Sequence, residues 1–113
     1  MKPGSILLVK FPFTLLETTK KRPVLLLSRV QLTEKIQLLT IAMITSRIDG
    51  LKLKGDAHLR DWKRSNLLHE SLVRLSKLTT VEKELVDREL GFLSVADTKE
   101  VRKCFRQLYE GWC

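Results

Sequence analysis

The sequence predicts a mainly β protein with one C-terminal helix (α+β), built as a small antiparallel sheet that curls into a barrel. Short apolar runs of strand length recur along most of the chain, with Gly, Pro and Asp turn signals between them. From Ser94 onward the apolar residues are spaced three and four apart, as on one face of a helix. Several short strands followed by one amphipathic helix favour this fold class.

The first three strands follow from apolar runs and prolines. Ser5–Phe11 is an apolar run ended by a proline, which cannot donate to a sheet ladder. Residues 13–21 are polar and irregular, which predicts a long hairpin loop, and Pro23 then opens a second strand over residues 24–30. Residues 36–45 are almost continuously apolar, which predicts a third strand buried on both faces at the centre of the sheet.

The next elements are shorter. Residues 47–66 predict a polar loop with a brief strand at residues 57–59. Residues 71–75 alternate between polar and apolar, as a half-buried strand should. The sequence TTVE at residues 79–82 is typical of the capping box of a short helix, and residues 88–93 predict a return to the sheet.

The last element is a helix that Ser94 caps and that runs to about Tyr109. Its apolar side chains share one face: Val101, Phe105, Leu108 and Trp112. Such a stripe predicts contact with the core or with another subunit.

Length and charge limit the function classes. A chain of 113 residues predicts one domain, residues 1–113, with a single core. The formal net charge is +8, and a basic balance of this size favours a polyanionic partner, nucleic acid before membrane. All of the excess lies in residues 1–64, which hold 13 basic and 5 acidic side chains, whereas residues 65–113 hold 8 of each.

The cysteines and the hydropathy pattern predict a cytoplasmic protein. Cys104 and Cys113 are few and late in the chain, and their spacing fits neither a disulfide framework nor a zinc site. The longest apolar segment, residues 38–44, is too short to span a bilayer, and the apolar run after Lys2 is too short for a signal peptide. We therefore expect a soluble protein in a reducing compartment.

Several motifs in order resemble the MazF/PemK family of bacterial toxin endoribonucleases. They are GSILLVKFPF at residues 4–13, KRPVL at 21–25, ITS at 44–46, SLVRLSKL at 71–78 and GFLS at 91–94. Each is short, but together they cover nearly the whole chain. The resemblance implies an SH3-like barrel of about six strands, a homodimer, and cleavage of single-stranded RNA without metal or other cofactor. It also implies an antitoxin partner whose acidic segment fills the RNA groove.

The resemblance implies Arg22 and Thr45 as the catalytic pair. RNA cleavage without metal requires the ribose 2′-oxygen to attack its own phosphate, and charge then builds on the non-bridging oxygens. The planar guanidinium of Arg22 suits that charge, and because a guanidinium stays charged it is a poor base. We expect Thr45 to orient the phosphate or the 2′-hydroxyl, with help from Ser46.

The remaining site residues are predicted to bind RNA. Cations near strand ends would contact phosphates, namely Lys20, Lys21, Arg47 and Arg74. Phe13 is a candidate stacking platform for an unstacked base.

Two departures from the family pattern leave the source of a general base open. Members often carry acidic residues where this chain has Ser5 and Ser76, and in some relatives the second acid is proposed as a base beside the arginine matching Arg74. Serine cannot do this at neutral pH. His58 and His69 flank a polar segment, but no motif supports them as bases, and we expect both to be exposed loop residues.

Three hypotheses of different classes follow. The favoured one is a sequence-selective endoribonuclease toxin. The second is a relative that binds RNA or the antitoxin without cutting, which Ser76 makes credible. The third is a topoisomerase poison like the similarly folded CcdB toxins, against which the KRP and ITS motifs argue.

Overall fold

The protein is a six-stranded antiparallel sheet with one helix against one face, as seen in a computed structural model that describes residues 1–11 and 20–112. The strands are β1 Ser5–Phe11, β2 Lys20–Gln31, β3 Gln37–Thr45, β4 Asp56–Leu59, β5 Ser71–Glu82 and β6 Val86–Phe92. The helix is α1 Val95–Leu108. No helix in the described part of the chain is long and apolar enough to cross a membrane.

The strand order across the sheet is β4-β5-β3-β2-β1-β6. All five pairings are antiparallel, and β3 lies between the two longest strands, β2 and β5. This confirms the predicted central place of the third strand. Its residues Leu39, Ile41 and Ala42 are completely buried, as the continuous apolar run predicted.

Side chains alternate across the sheet, so its two faces support two separate clusters. The helix-side core is made mainly by Ile6, Leu25, Ala42, Ile44, Val73, Leu75, Val101 and Cys104. The second core, on the opposite face, is made by Leu7, Val9, Val24, Leu26, Leu39, Ile41 and Val81. Because consecutive residues of β1 and β2 serve different clusters, these strands are buried on both faces.

The two edges of the sheet, β4 and β6, are joined by side chains from the turn that follows β4. The Ser65 hydroxyl donates to the Phe92 carbonyl (3.2 Å), and the Asn66 amide donates to the Leu90 carbonyl (2.5 Å). Asn66 has a φ of 62°, a backbone conformation that asparagine tolerates better than most residues. The sheet is therefore curled until one edge reaches the other, without a closing strand ladder.

Several predicted elements are confirmed with small shifts. The first strand has the predicted bounds, the third begins one residue later, and the brief strand at β4 begins one residue earlier. Helix α1 begins after Ser94, whose hydroxyl accepts a hydrogen bond from the Asp97 N–H (3.1 Å). In its stripe, Val101 is buried, whereas Trp112 lies beyond the helix and is 92% exposed.

The second strand begins earlier than predicted, at Lys20 instead of residue 24. Pro23 therefore lies inside the strand. Pro23 lies opposite Leu8 in the ladder with β1 and one residue before the ladder with β3, which begins at Val24, so its missing N–H costs no bond to β3. The remainder of the predicted loop, residues 12–19, lies outside the described residues.

The helix predicted from TTVE at residues 79–82 is wrong. These residues continue β5 and pair with residues 38–41 of β3, and Val81 is buried in the second core. A single 3-10 turn, Lys83–Leu85, follows. A capping box is a local signal, and here burial of Val81 and the long-range ladder outweigh it.

Replacing Gly91 with alanine is expected to destabilise the fold, because a Cβ there would lie 2.8 Å from the Ser65 carbonyl oxygen. Overpacking against backbone typically costs about 1–3 kcal/mol. Urea unfolding of Gly91→Ala should show that loss. Gly50→Ala is the matched control, since its nearest neighbour would be the Arg47 carbonyl oxygen at 3.8 Å. Equal stability of Gly91→Ala and wild type would contradict the described approach of the two sheet edges.

Candidate functional site

The sheet register places Arg22 and Thr45 at the same end of neighbouring strands. Val24 of β2 is paired with Met43 of β3 at the end of their ladder, and Arg22 and Thr45 each lie two residues beyond that pair. Residues two apart in a strand share a face. Both side chains therefore lie on the face of the second core, just past the end of the β2–β3 ladder.

Arg22 is exposed and available to a ligand. Its backbone is held by pairing with Val9 of β1, whose side chain is completely buried. Within residues 1–11 and 20–112, no ion pair or side-chain hydrogen bond engages the guanidinium. Its N–H donors are therefore available to bind an anion, two at a time through one edge of the fork.

Thr45 is half-buried at the last position of β3, and its hydroxyl is already oriented. The Thr45 Oγ1 accepts a hydrogen bond from the Arg47 N–H (3.2 Å). A hydroxyl has one proton and two lone pairs, so this contact uses an acceptor and leaves the O–H free to donate. The turn after β3 thus presents Thr45 as a donor beside Arg22.

The other predicted cations divide between the two faces. Lys20 shares the face of Arg22, whereas Lys21 points to the helix side. Lys21 is opposite Lys10, and both ammonium groups contact the carboxylate of Asp87, at 3.4 and 3.7 Å. Arg47 is exposed in the loop after β3.

Arg74 lies inside β5, not at a strand end, and it is engaged by Asp56. The Arg74 Nε and Nη2 donate to the two carboxylate oxygens of Asp56, both at 3.0 Å. Nη2 also donates to the Leu51 carbonyl (3.2 Å), and Asp56 Oδ2 accepts from the Leu53 N–H (2.8 Å). This fork fastens the loop after Thr45 to the sheet, so RNA contact by Arg74 stays a prediction.

The charge of Asp56 is maintained by these contacts. Burial alone would raise the pKa of this carboxyl, since only 1% of its side chain is exposed. The hydrogen bonds from Arg74 and from the Leu53 N–H, with the positive charge of Arg74, outweigh burial and hold the pKa below its usual value. The hydrogen bond to Asp56 in turn raises the pKa of Arg74.

A cavity of about 280 Å³ lies on the helix side of the same sheet end. Pro23 and Ser46, the chain neighbours of Arg22 and Thr45, line it. Its other lining residues are mostly apolar with a polar rim: Leu8, Ile44, Asn66, Leu67, Leu68, His69, Ser71, Arg88 and Leu90. The cavity therefore opens on the face of the sheet opposite Arg22 and Thr45, next to their chain neighbours Pro23 and Ser46.

The two histidines occupy different surroundings. His58 is half-buried in β4, not in a loop, and its Nε2 lies 3.0 Å from the Glu70 carboxylate. His69 is exposed and lines the cavity. Ser76 is exposed in an irregular part of β5, between Arg74 and Leu78 in the ladder with β3. No group of three His, Cys, Asp or Glu in the described ranges could hold a metal ion.

One predicted residue cannot be placed, and three others were missed. Phe13 lies outside the described residues. Sequence analysis overlooked Asp56, Asp87 and Arg88, which respectively bind Arg74, contact Lys21 and line the cavity. The partners of Asp56 and Asp87 lie on other strands, and no signal in a single sequence links residues that the folding of the sheet brings together.

Comparison with known proteins identifies related sequences and folds. The sequence profile of a family described as the PemK-like, MazF-like toxin of type II toxin-antitoxin systems matches residues 2–109. No curated protein sequence matches the chain significantly.

Two solved structures share the fold at low sequence identity. The Mycobacterium tuberculosis toxin MazF-mt6 has a TM-score of 0.71 and 19% identity, with 94% of this chain and 96% of that chain covered. An endoribonuclease from a mycobacterial species, in complex with its cognate antitoxin, has a TM-score of 0.71 and 12% identity, with 100% and 97% covered.

Asp56→Asn is expected to destabilise the protein by roughly 3 kcal/mol at neutral pH, because it leaves Arg74 without its charged partner. Since the pKa of Asp56 is lower in the folded than in the unfolded chain, its contribution is present above the unfolded pKa and disappears as pH falls through the folded value. The stability difference between wild type and variant should therefore shrink in acid. Urea unfolding across pH checks this, with the exposed Asp49→Asn as control. A difference that did not change with pH would contradict the ion pair.

Proposed function

Because the chain belongs to the PemK-like, MazF-like toxin family of type II toxin-antitoxin systems, we propose that it is an endoribonuclease. In this proposal it cleaves single-stranded mRNA at selected sequences without metal, leaving a 2′,3′-cyclic phosphate and a 5′-hydroxyl. Loss of mRNA would stop translation and growth.

The single observation that carries the proposal is the position of Arg22 and Thr45 at one end of the sheet, on the same face of neighbouring strands. Two donors of different kind lie on adjacent strands, one a free guanidinium and the other a hydroxyl with its proton available. The backbone of Arg22 pairs with β1 and that of Thr45 pairs with β5, so both backbone positions are set before RNA binds. Preorganised donors aimed at a developing charge are an effective means of stabilising a transition state.

The proposed reaction is an internal transfer at phosphorus. The ribose 2′-oxygen attacks the adjacent phosphate in line with the 5′-oxygen of the next nucleotide. The new P–O bond forms as the P–O5′ bond breaks, and negative charge grows on the non-bridging oxygens. Arg22 binds those oxygens through its planar fork, and Thr45 donates a hydrogen bond that fixes the phosphate.

In this mechanism the protons are exchanged with solvent. The 2′-hydroxyl loses its proton to water, and the leaving 5′-oxygen takes one up. Ser76 offers no carboxylate for this task. His58 lies two strands from Thr45 across the sheet, about 10 Å away, and its Nε2 is held by Glu70. The electrostatic contribution of Arg22 is therefore the main source of rate acceleration.

The exposed cations around the pair would guide RNA to it. Lys20 lies on the same face as Arg22. Arg47 lies in the loop after β3, and its backbone N–H donates to the Thr45 hydroxyl. Arg74 would help indirectly, by fixing that loop through Asp56. Phosphate contacts of this kind make affinity fall with salt.

The partner that silences the protein would be an antitoxin with an acidic segment, and the protein would act as a homodimer. The cavity on the helix side of the same sheet end supports the first assignment, because Arg88 and His69 line it together with apolar side chains. An apolar side chain between carboxylates would fill it.

The exposed apolar side chains of Leu68, Phe92 and Val95 provide surface that a second subunit of the homodimer could cover.

Ser76 favours one alternative, a relative that binds RNA without cutting it. The side chain lies in an irregular segment of β5, where relatives often carry an acid. Tight binding of RNA with no cyclic-phosphate product would select this alternative.

Arg22→Ala is expected to reduce cleavage at least a hundredfold, since removing one transition-state donor typically costs about 10²–10³ in rate. The measurement is cleavage of a defined mRNA in EDTA, with mapping of the ends and assay of the cyclic phosphate. Arg29→Ala is the matched control, because it removes another exposed arginine from β2 at its opposite end. Thr45→Val should also slow cleavage while keeping the fold. Intact RNA at high wild-type concentration, or full activity of Arg22→Ala, would refute the proposal.

A further inference from the structure

We propose that the outward face of α1, together with Trp112, is a second RNA-binding surface that holds the substrate away from the point of cleavage. The inference rests on the proposed function in one respect, that RNA is taken as the partner. We call the four cations on the outward face of α1 the helix stripe: Lys99, Arg102, Lys103 and Arg106.

The four cations of the helix stripe lie on one side of α1. Their spacing of three and four residues puts them on a single face, opposite the buried Asp97, Val101 and Cys104. All four are exposed. From first to last the stripe is about 10 Å long.

In the described part of the chain, no member of the helix stripe forms an ion pair. The two acidic residues of α1 make other contacts. The Asp97 carboxylate accepts hydrogen bonds from the N–H groups of Arg60 (2.9 Å) and Asp61 (3.0 Å), and Glu100 accepts one from the Cys104 thiol (3.6 Å).

This arrangement opposes helix stability, which distinguishes it from a surface that only confers solubility. Like charges three or four residues apart destabilise a helix, and solubilising faces usually mix both signs. The helix dipole favours Arg106, which lies in the last turn, but it does not favour Lys99 in the first half. A cationic face retained against these effects indicates an anionic ligand.

Trp112 extends the surface with an aromatic ring. Its backbone N–H donates to the carbonyl of Tyr109, the C-cap residue, so the ring follows directly after the helix. With 92% of its surface exposed, it contrasts with Trp62, which packs against the helix-side core. A cationic helix face followed in the chain by an exposed indole offers both kinds of contact that bind a single strand, phosphate contacts and base stacking. An acidic peptide would use the cations but offers no flat base for the ring.

Further cations adjoin the first turn of α1. The turn held by Asp97 exposes three basic side chains, Arg60, Lys63 and Arg64. The surface therefore continues past the N-terminal end of the stripe.

The helix stripe and the Arg22–Thr45 pair lie on opposite sides of the sheet. Helix α1 packs on the helix-side core, whereas Arg22 and Thr45 share the face of the second core. The principal extents of the molecule are 33 × 31 × 26 Å. Only an RNA long enough to pass around the molecule can contact both sites, so the stripe should act on long transcripts and not on short oligonucleotides.

The test uses the full chain carrying Arg22→Ala, which prevents cutting, and poly(U) as the probe. Binding is followed by quenching of Trp112 fluorescence over a range of salt concentrations. Replacing Lys99, Arg102 and Lys103 together with glutamine, a good helix former, should weaken binding about tenfold or more. It should also lower the slope of log affinity against log salt by about two, since each phosphate contact contributes about 0.7.

Two controls assign the effect to this surface. A triple variant with glutamine at Lys35, Lys54 and Lys83 makes the same change in net charge at exposed positions off α1, and should bind poly(U) like the parent. Trp112→Phe should abolish most of the fluorescence quenching. When binding of this variant is followed instead by the anisotropy of labelled poly(U), its affinity should be about tenfold weaker. Circular dichroism verifies that each variant is folded.

The outcomes separate this inference from the proposed function. Unchanged affinity and salt slope in the α1 triple variant would overturn the inference, as would tighter binding of poly-glutamate or of anionic phospholipid vesicles than of poly(U). In the cleaving protein, the triple variant should lose activity on a long mRNA and keep it on a short oligonucleotide. Stripe-dependent poly(U) binding by a protein that never cuts RNA would refute the proposed function alone.

Discussion

The antiparallel ladder between β2 and β3 is the constraint on which the rest of the structure depends. Val24 and Leu25 are completely buried on opposite faces of the sheet, in the second core and the helix-side core respectively. A slip of one residue would exchange the two faces and place every side chain in the wrong cluster. Burial on both faces therefore fixes the register, and this register puts Arg22 and Thr45 at the same end of the sheet and on the same face.

Two further contacts make the surroundings of the pair rigid. The fork between Asp56 and Arg74 fastens the loop that leaves Thr45, and the turn at Ser65 bonds to the outer edge of β6. Neither contact touches the exposed guanidinium of Arg22. The structure thus separates the residues that hold the backbone from those left free for a ligand, as preorganised sites require.

The elements that sequence predicted well are those whose signals lie within one short segment. The first strand and α1 were predicted closely because their apolar spacing and the Ser94 cap are readable within one segment. The second half of β5 was not, because its strand conformation depends on pairing with β3 and on the burial of Val81. Family resemblance supplied Arg22 and Thr45 as a pair, but no feature of one sequence links Asp56 to Arg74, since cross-strand pairing decides that contact.

The distribution of charge on the folded surface differs from the count of charges along the sequence. Counted along the chain, residues 65–113 are neutral, which hides their positive surface. In the folded protein three acids of this segment are directed away from the outward face of α1: Asp87 contacts Lys10 and Lys21, Glu70 contacts His58, and Asp97 is buried. The cations of α1 remain exposed and unpaired within the described residues. Positive and negative charges that cancel in the count are therefore separated in space. Salt screens electrostatic interactions beyond about 10 Å, so a polyanion interacts with the charges of the local surface far more than with the net charge of the segment. On this argument the basic character of the protein belongs to two distinct surfaces, one beside Arg22 and Thr45 and one along α1.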